Sequence, residues 1–289
     1  MDNGMNLKKL LEKNEFIIAP GAYNALTGKI IEDQGFNAVY MTGYGTSAAN
    51  FGLPDIGLLS MTEMVQNAKQ IVDAVNIPVI ADADTGYGNA INISRTIKEY
   101  EQVGVQAIHI EDQTWPKRCG HMMGKDVIPK NQMVEKIRAA VDSRDKSEFL
   151  IIARTDAIAT HGFKEAIQRG NTYSKAGADI IFIEAPRTLN QIRKIPQMID
   201  NDRLLLNMSP KTPRVSFEDL EKFGYSIAIY PGICLAASIL ACMEDLELLK
   251  NSGKQRDFSD IIKSFSQLNQ FLGLKKYLDL EKKYSLYDD

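Results

Sequence analysis

Eight short apolar runs, each rich in Ile, Val, Leu or Ala and most followed by a longer amphipathic segment, constrain this chain more than any other feature. The runs fall at 16–19, 38–42, 79–82, 107–111, 150–153, 180–184, 204–207 and 226–230. Most are continuous rather than alternating, as expected of strands buried on both faces of a parallel sheet. Helical periodicity fills intervals such as 24–34, 62–75, 91–103, 132–143 and 163–176. Gly35, Gly104 and Gly177 stand where three of these helices would stop. The pattern predicts an α/β fold of the (β/α)8 TIM-barrel type, with an open doubly wound sheet as the main competitor. The polar residues favour the barrel. Thr42, Asp82 and Asp84, Glu111 and Asp112, Arg154 and Asp156, Glu184 and Asn207 all sit at ends of runs. In a barrel those ends converge on one mouth.

The 289 residues, 44% hydrophobic and 25% charged, fit a single domain spanning 1–289 with a sizeable core. A net charge of −3 gives no reason to expect nucleic acid or an acidic membrane surface as partner. The opening MDNGMNLKKLLEK lacks the apolar run of a signal peptide, and no stretch resembles a membrane helix. Three cysteines, Cys119, Cys234 and Cys242, do not form a disulfide framework, so a cytoplasmic protein is expected. Cys234 and Cys242 lie in an apolar helix and read as small core residues. His109 and His161 have no evident convergent partners and read as structural. The last segment, 232–289, differs in kind. Between 264 and 287, Leu268, Phe271, Leu272, Leu274, Tyr277, Leu278 and Leu280 make an amphipathic stripe with no barrel face left to cover. Such a helix either packs back on its own barrel or embraces a neighbouring subunit, and the second is favoured because free apolar stripes rarely stay exposed.

Three clusters carry chemistry. Asp82 and Asp84 in ADADTGYG, one residue apart at a strand end, offer oxygen ligands suited to Mg²⁺, with Glu111 completing the shell through water. The competing reading is a pair of solvated loop acids. In WPKRCGH, Cys119 lies among Lys117, Arg118, Gly120 and His121; nearby cations favour the thiolate and suit the thiol to proton transfer. The alternative is an incidental loop cysteine. Arg154 offers a planar fork for a carboxylate, unless it pairs internally with Asp156 or Glu184. TGYGTSAA, from Thr42 through Gly43 and Tyr44 to Ala49, supplies backbone N–H groups for an anion, or is simply a tight turn. Dinucleotide binding fits poorly, because no acidic residue ends a strand about 20 residues further on. Together the clusters predict metal-assisted carbon–carbon cleavage of a small carboxylate through an aci-carboxylate.

GAYNALTGKIIE, GYGTSAANFGLPD, ADADTGYGN, IHIEDQTWPKRCGH, IIARTDA, IFIEAP and the tail LEKKY, in that order from about Pro20 to Tyr287, resemble the isocitrate lyase/phosphoenolpyruvate mutase superfamily. KRCGH is similar to its short lyase branch. The resemblance implies a modified (β/α)8 barrel whose eighth helix is exchanged between subunits, usually in a homotetramer. It implies Mg²⁺ or Mn²⁺ on Asp82 and Asp84 with Glu111 outside, a mobile loop at KRCGH, and Cys119 as acid/base. It assigns Tyr40 and Asp55 to the site beside Arg154, Glu184 and Asn207. The expected substrate is a 2-hydroxy di- or tricarboxylate of the 2,3-dimethylmalate or methylisocitrate type, cleaved to a 2-oxo acid such as pyruvate and a saturated acid. Two departures stand out: NMSPKTP is two residues short and lacks the family's acid, and Ala236 stands where methylisocitrate lyases carry Arg, the second pointing towards a 2-alkylmalate-like dicarboxylate or another 2-hydroxy or 2-oxo acid. The alternatives are oxaloacetate hydrolysis or decarboxylation, phosphonopyruvate chemistry, and a non-catalytic barrel that binds a small acid.

Overall fold

Eight strands run β1 Ile17–Ala22, β2 Val39–Met41, β3 Val79–Asp82, β4 Ala107–Glu111, β5 Leu150–Thr155, β6 Ile180–Ile183, β7 Leu204–Asn207 and β8 Ile227–Tyr230. They pair in parallel in sequence order, and β8 returns to β1, closing a barrel. The (β/α)8 expectation holds. The structure, a computed structural model, describes residues 6–120, 124–256 and 265–285. His121 lies outside them. The chain divides into two units, residues 1–237 and 238–289.

Strand parity decides what faces the barrel axis. Ile80, Ala107, Leu150, Ile152, Ile180, Phe182, Leu205, Ile227 and Ile229 form one buried cluster inside. Their neighbours Ala81, Ile108, Ile151, Ala153, Ile181, Leu204 and Ala228 pack outward against the surrounding helices. Leu7, Leu10 and Leu11 of the helix Leu7–Glu12 join the inner cluster. With a period of two, Tyr40, Asp82, His109, Glu111, Arg154 and Asn207 carry the inward parity. The apolar filling of the barrel therefore gives way to a charged layer at the carboxyl ends.

Four local features differ from expectation. β1 runs on through Pro20 and Gly21, and a Cβ at Gly21 would collide with the carbonyl of Pro231, so glycine permits that close approach. TGYGTSAA is not a turn but the start of the helix Gly43–Phe51, with Thr42 as its N-cap and Gly52 at φ +64° closing it. Asp84 is not on β3 with Asp82; it follows the strand in left-handed backbone at φ +49°. Cys234 is half-buried and packs against the core, whereas Cys242 is exposed, which corrects the reading of Cys242 as a core residue.

In the second unit, Met243, Leu246 and Leu249 of the helix Ile233–Ser252 are exposed, as are Leu274, Tyr277 and Leu278 of the helix Leu274–Tyr284. Among the described residues no helix is long and apolar enough to cross a membrane.

Candidate active site

Tyr40, Thr42, Tyr44, Asp55, Asp82, Lys117, Cys119, Gly120, Arg154, Glu184, Asn207 and Pro231 line one cavity of about 50 Å³ at the barrel mouth. Residues from six strand ends and two loops thus meet at one mouth, whereas Gly43, Asp84, Glu111 and Arg118 are not on its lining. At about 10–15 Å³ for each water the space holds a few waters, less than a dicarboxylate.

Asp82 is held from several sides. Its Oδ2 accepts from Gly43 N at 3.2 Å, and its Oδ1 accepts from Asp84 N at 2.9 Å. The helix Gly43–Phe51 thus directs its positive end at this acid. Two of its first backbone donors, Gly43 N and Gly45 N, serve Asp82 and the Thr42 cap. Burial would raise Asp82, but His109, Lys117, Arg154 and the Asp84 N–H outweigh it and hold the carboxyl near 2.

His109 is fully buried, with Nε2 2.7 Å from the Tyr40 hydroxyl and 3.3 Å from Asp82 Oδ1. A proton on Nε2 serves both oxygens, whereas one on Nδ1 would have no acceptor among the described residues. Burial pushes His109 down to about 4, so the ring is neutral at neutral pH. In sequence His109 reads as structural without convergent partners; its inward parity, two residues before Glu111 on β4, instead brings it to Tyr40 and Asp82.

A protonation equilibrium this far displaced is a stability statement. The folded value near 4 lies below the ordinary 6.5, so the unfolded chain binds this proton more readily. The contribution is fully present above pH 6.5 and is lost as pH falls towards 4, about 3 kcal/mol in all. Urea titrations of the metal-free protein and of His109→Gln at both pH values should differ in pH dependence by roughly that amount. Parallel curves would contradict it.

Lys117 is 3% exposed and reaches both Asp84 Oδ1, at 2.6 Å, and Asp55 Oδ1. Burial opposes its charge, but Asp84, Asp82 and Asp55 outweigh that and keep it an ammonium. Cys119 N donates to Asp55 O at 3.2 Å. Arg118 points the other way. It is exposed and does not line the cavity, while its backbone N and O pair with the Gln113 side chain at 3.0 and 2.8 Å.

Arg154 is less open than a substrate fork would be. Nε and Nη2 contact Asp156 at 2.9 and 3.2 Å, Nη1 contacts Glu111 Oε2 at 3.0 Å, and the guanidinium lies 5.2 Å from the Phe182 ring centre. The internal pairing weighed against a carboxylate fork is therefore present. Asn207 Nδ2 donates to Glu184, at 3.2 and 3.3 Å from its two oxygens, which leaves its buried Oδ1 without a partner among the described residues.

Gly120 lies directly on this layer. A Cβ there would collide with Glu184 Oε1 and stand 2.7 Å from Arg154 Nη2. Gly120→Ala should therefore lower kcat/KM about 10²-fold, the cost of a misplacement near one ångström, with little change in Tm. An equally active variant would show that this approach is not needed.

The donor set suits a hard divalent cation. Asp82, Asp84 and Glu111 offer oxygen only, and Glu111 Oε1, though buried, has no hydrogen-bond partner among the described residues. Burial, with Asp82 and Asp55 adding to it, lifts Asp84 to about 6 despite Lys117. Burial likewise lifts Glu111 well above the usual carboxylate range. A bound cation would favour the ionised form of both. Among the described residues no three His, Cys, Asp or Glu side chains form a complete cage.

A closed (β/α)8 barrel that gathers buried acids, a lysine, an arginine and a thiol-bearing loop at its carboxyl-end mouth has the layout of an enzyme. The phosphoenolpyruvate phosphomutase family model matches residues 7–249. The chain belongs to that family, within the isocitrate lyase/phosphoenolpyruvate mutase superfamily. It is 46% identical over 287 residues to 2,3-dimethylmalate lyase of Eubacterium barkeri, covering 99% of each chain. It superposes on oxaloacetate acetylhydrolase in complex with 3,3-difluorooxalacetate with a TM-score of 0.92 at 34% identity, covering 98% of this chain and 97% of that one. Phosphonopyruvate hydrolase in complex with oxalate and Mg²⁺ gives 0.88 at 30% identity, covering 96% and 97%.

Proposed function

We propose that the chain is a carbon–carbon lyase acting on a 2-hydroxy dicarboxylate of the 2,3-dimethylmalate type. The observation that carries this is Cys119 on the same small cavity as Asp82, Arg154, Glu184 and Asn207. Identity to 2,3-dimethylmalate lyase across the whole chain supports it. A carboxylate lining the cavity, Glu184, takes the 2-hydroxyl proton, and C2 becomes a carbonyl as the C2–C3 bond breaks. The bonding pair passes into the neighbouring carboxyl as an aci-carboxylate, whose carbon takes a proton from the Cys119 thiol. Pyruvate and propionate then account for every atom of 2,3-dimethylmalate.

Asp82 and Asp84 would hold Mg²⁺ or Mn²⁺ with Glu111 behind them, and the metal supplies electrophilic stabilisation of the developing oxyanion. Lys117 fixes the thiol-bearing loop to Asp55 and Asp84. Arg154, held flat by Asp156, presents positive charge to a carboxylate without having to reorganise. Asn207 Oδ1 accepts from the substrate. Tyr40 and His109 keep Asp82 in place. Arg118 acts through its backbone, and its guanidinium has no part in the proton transfer.

A dicarboxylate fits better than a tricarboxylate. Ala236, in the helix Ile233–Ser252, brings no cation to the mouth. The shortened segment after β7 closes on itself, with Thr212 Oγ1 donating to Asn207 O at 2.8 Å. The exposed apolar faces of the second unit would be covered by a neighbouring subunit in a homotetramer, which light scattering on the purified protein tests. A monomer would count against that arrangement.

A second reading has a specific observation behind it, the likeness to oxaloacetate acetylhydrolase. A pyruvate assay with Mg²⁺ over 2,3-dimethylmalate, methylisocitrate and simple 2-alkylmalates, beside an oxalate assay on oxaloacetate, separates the two. The lyase reading predicts pyruvate from a 2-hydroxy diacid. Oxalate from oxaloacetate alone would replace it.

A further inference from the structure

Cys119 is secured on its amino-terminal side by Lys117 and by its own N–H on Asp55. On its carboxyl side the support comes from elsewhere. Lys125 Nζ donates both to the carbonyl of Gly120 and, at 2.7 Å, to Asp156 Oδ1. The Lys125 side chain is 2% exposed, so the pair escapes the screening that makes surface ion pairs weak. Asp156 is itself a fixed point. It takes two contacts from Arg154, and its N–H donates to Asp112 Oδ1 at 3.0 Å. Asp112 also accepts from Thr155 Oγ1, Arg169 Nη1 and the Tyr173 hydroxyl at 2.7, 3.0 and 2.7 Å.

We propose that Lys125 is a positioning residue: by joining Gly120 O to Asp156 it seats Cys119 at the cavity and ties the placement of the thiol to that of Arg154. The kinetic consequence rests on the lyase reading; the placement of the thiol does not. An ammonium suits the task because its three donors can serve two oxygens at an angle, which a planar guanidinium does less well. Removing it leaves Asp156 with its two contacts from Arg154 and its N–H on Asp112, so the anchor keeps its other partners.

The test uses the full chain with Lys125→Met and Lys125→Arg. Iodoacetamide labelling is followed peptide by peptide, which separates Cys119 from Cys234 and Cys242. A pH series separates accessibility from thiolate fraction. Lys125→Met should label faster at Cys119 by about 10- to 100-fold, the range for losing a charge-assisted hydrogen bond, with Cys242 unchanged. With Mg²⁺ and 2,3-dimethylmalate, kcat should fall by a similar factor and KM should stay nearly constant. Lys125→Arg should recover part of both. Lys125→Gln replaces the Met variant if that one does not fold. Labelling at the wild-type rate with unchanged kcat, or a lower Tm alone, would overturn the proposal. If the wild type cleaves no 2-hydroxy diacid, the lyase reading fails, and the labelling difference still decides the role of Lys125.

Discussion

Cys119→Ser is expected to lower kcat for diacid cleavage by about 10²–10⁴-fold, the range for losing a positioned general acid. The backbone N–H of residue 119 still reaches Asp55 O, and Lys117 still bridges Asp55 and Asp84, so the loop should keep its place. A serine hydroxyl fills nearly the same volume but is a far weaker acid than a thiol, so the aci-carboxylate would wait for solvent. Steady-state kcat, with Tm as the control for folding, measures the effect. A loss below about tenfold would remove Cys119 from the proton transfer.

Metal removal is the second large effect. EDTA should abolish cleavage, and Mg²⁺ or Mn²⁺ should restore it. Asp84→Asn, which keeps the shape and tolerates the left-handed backbone at this position, should lower kcat/KM by about 10²–10³-fold, as loss of electrophilic stabilisation worth several kcal/mol implies. The pH dependence has a definite sign. With Asp84 near 6 in the metal-free protein, falling pH protonates the ligand, so apparent metal affinity weakens as pH drops through about 6. In Asp84→Asn that dependence should flatten. Isothermal titration with Mn²⁺ at a series of pH values checks both statements, and an affinity independent of pH in the wild type would contradict the assignment of Asp84.

The barrel was legible because strands buried on two faces must be written as continuous apolar runs, and because the residues ending those runs are polar. Asp82, Glu111, Arg154, Glu184 and Asn207 could therefore be gathered at one mouth from the order of residues alone. Other features were hidden for physical reasons. His109 sits among apolar residues in AIHIE, and only the parity of β4, counted back from Glu111, shows that it faces the axis. The helix Gly43–Phe51 is masked by two glycines of low helix propensity, and the Thr42 cap and Gly52 were its only signals. Lys117 and Arg118 look equivalent in KRCGH, yet Lys117 is buried against Asp55 and Asp84 while Arg118 is exposed. Lys125 and Asp156 meet across 31 positions of sequence, a distance that no local pattern spans.

Turnover of 2,3-dimethylmalate with Mg²⁺ in D₂O, followed by proton and carbon NMR of the products, tests the central claim most directly. The account predicts equal amounts of pyruvate and of propionate carrying one deuterium at C2, with the reaction lost on EDTA treatment and in Cys119→Ser. No cleavage of this or any 2-hydroxy diacid, beside oxaloacetate converted to oxalate and acetate, would contradict it.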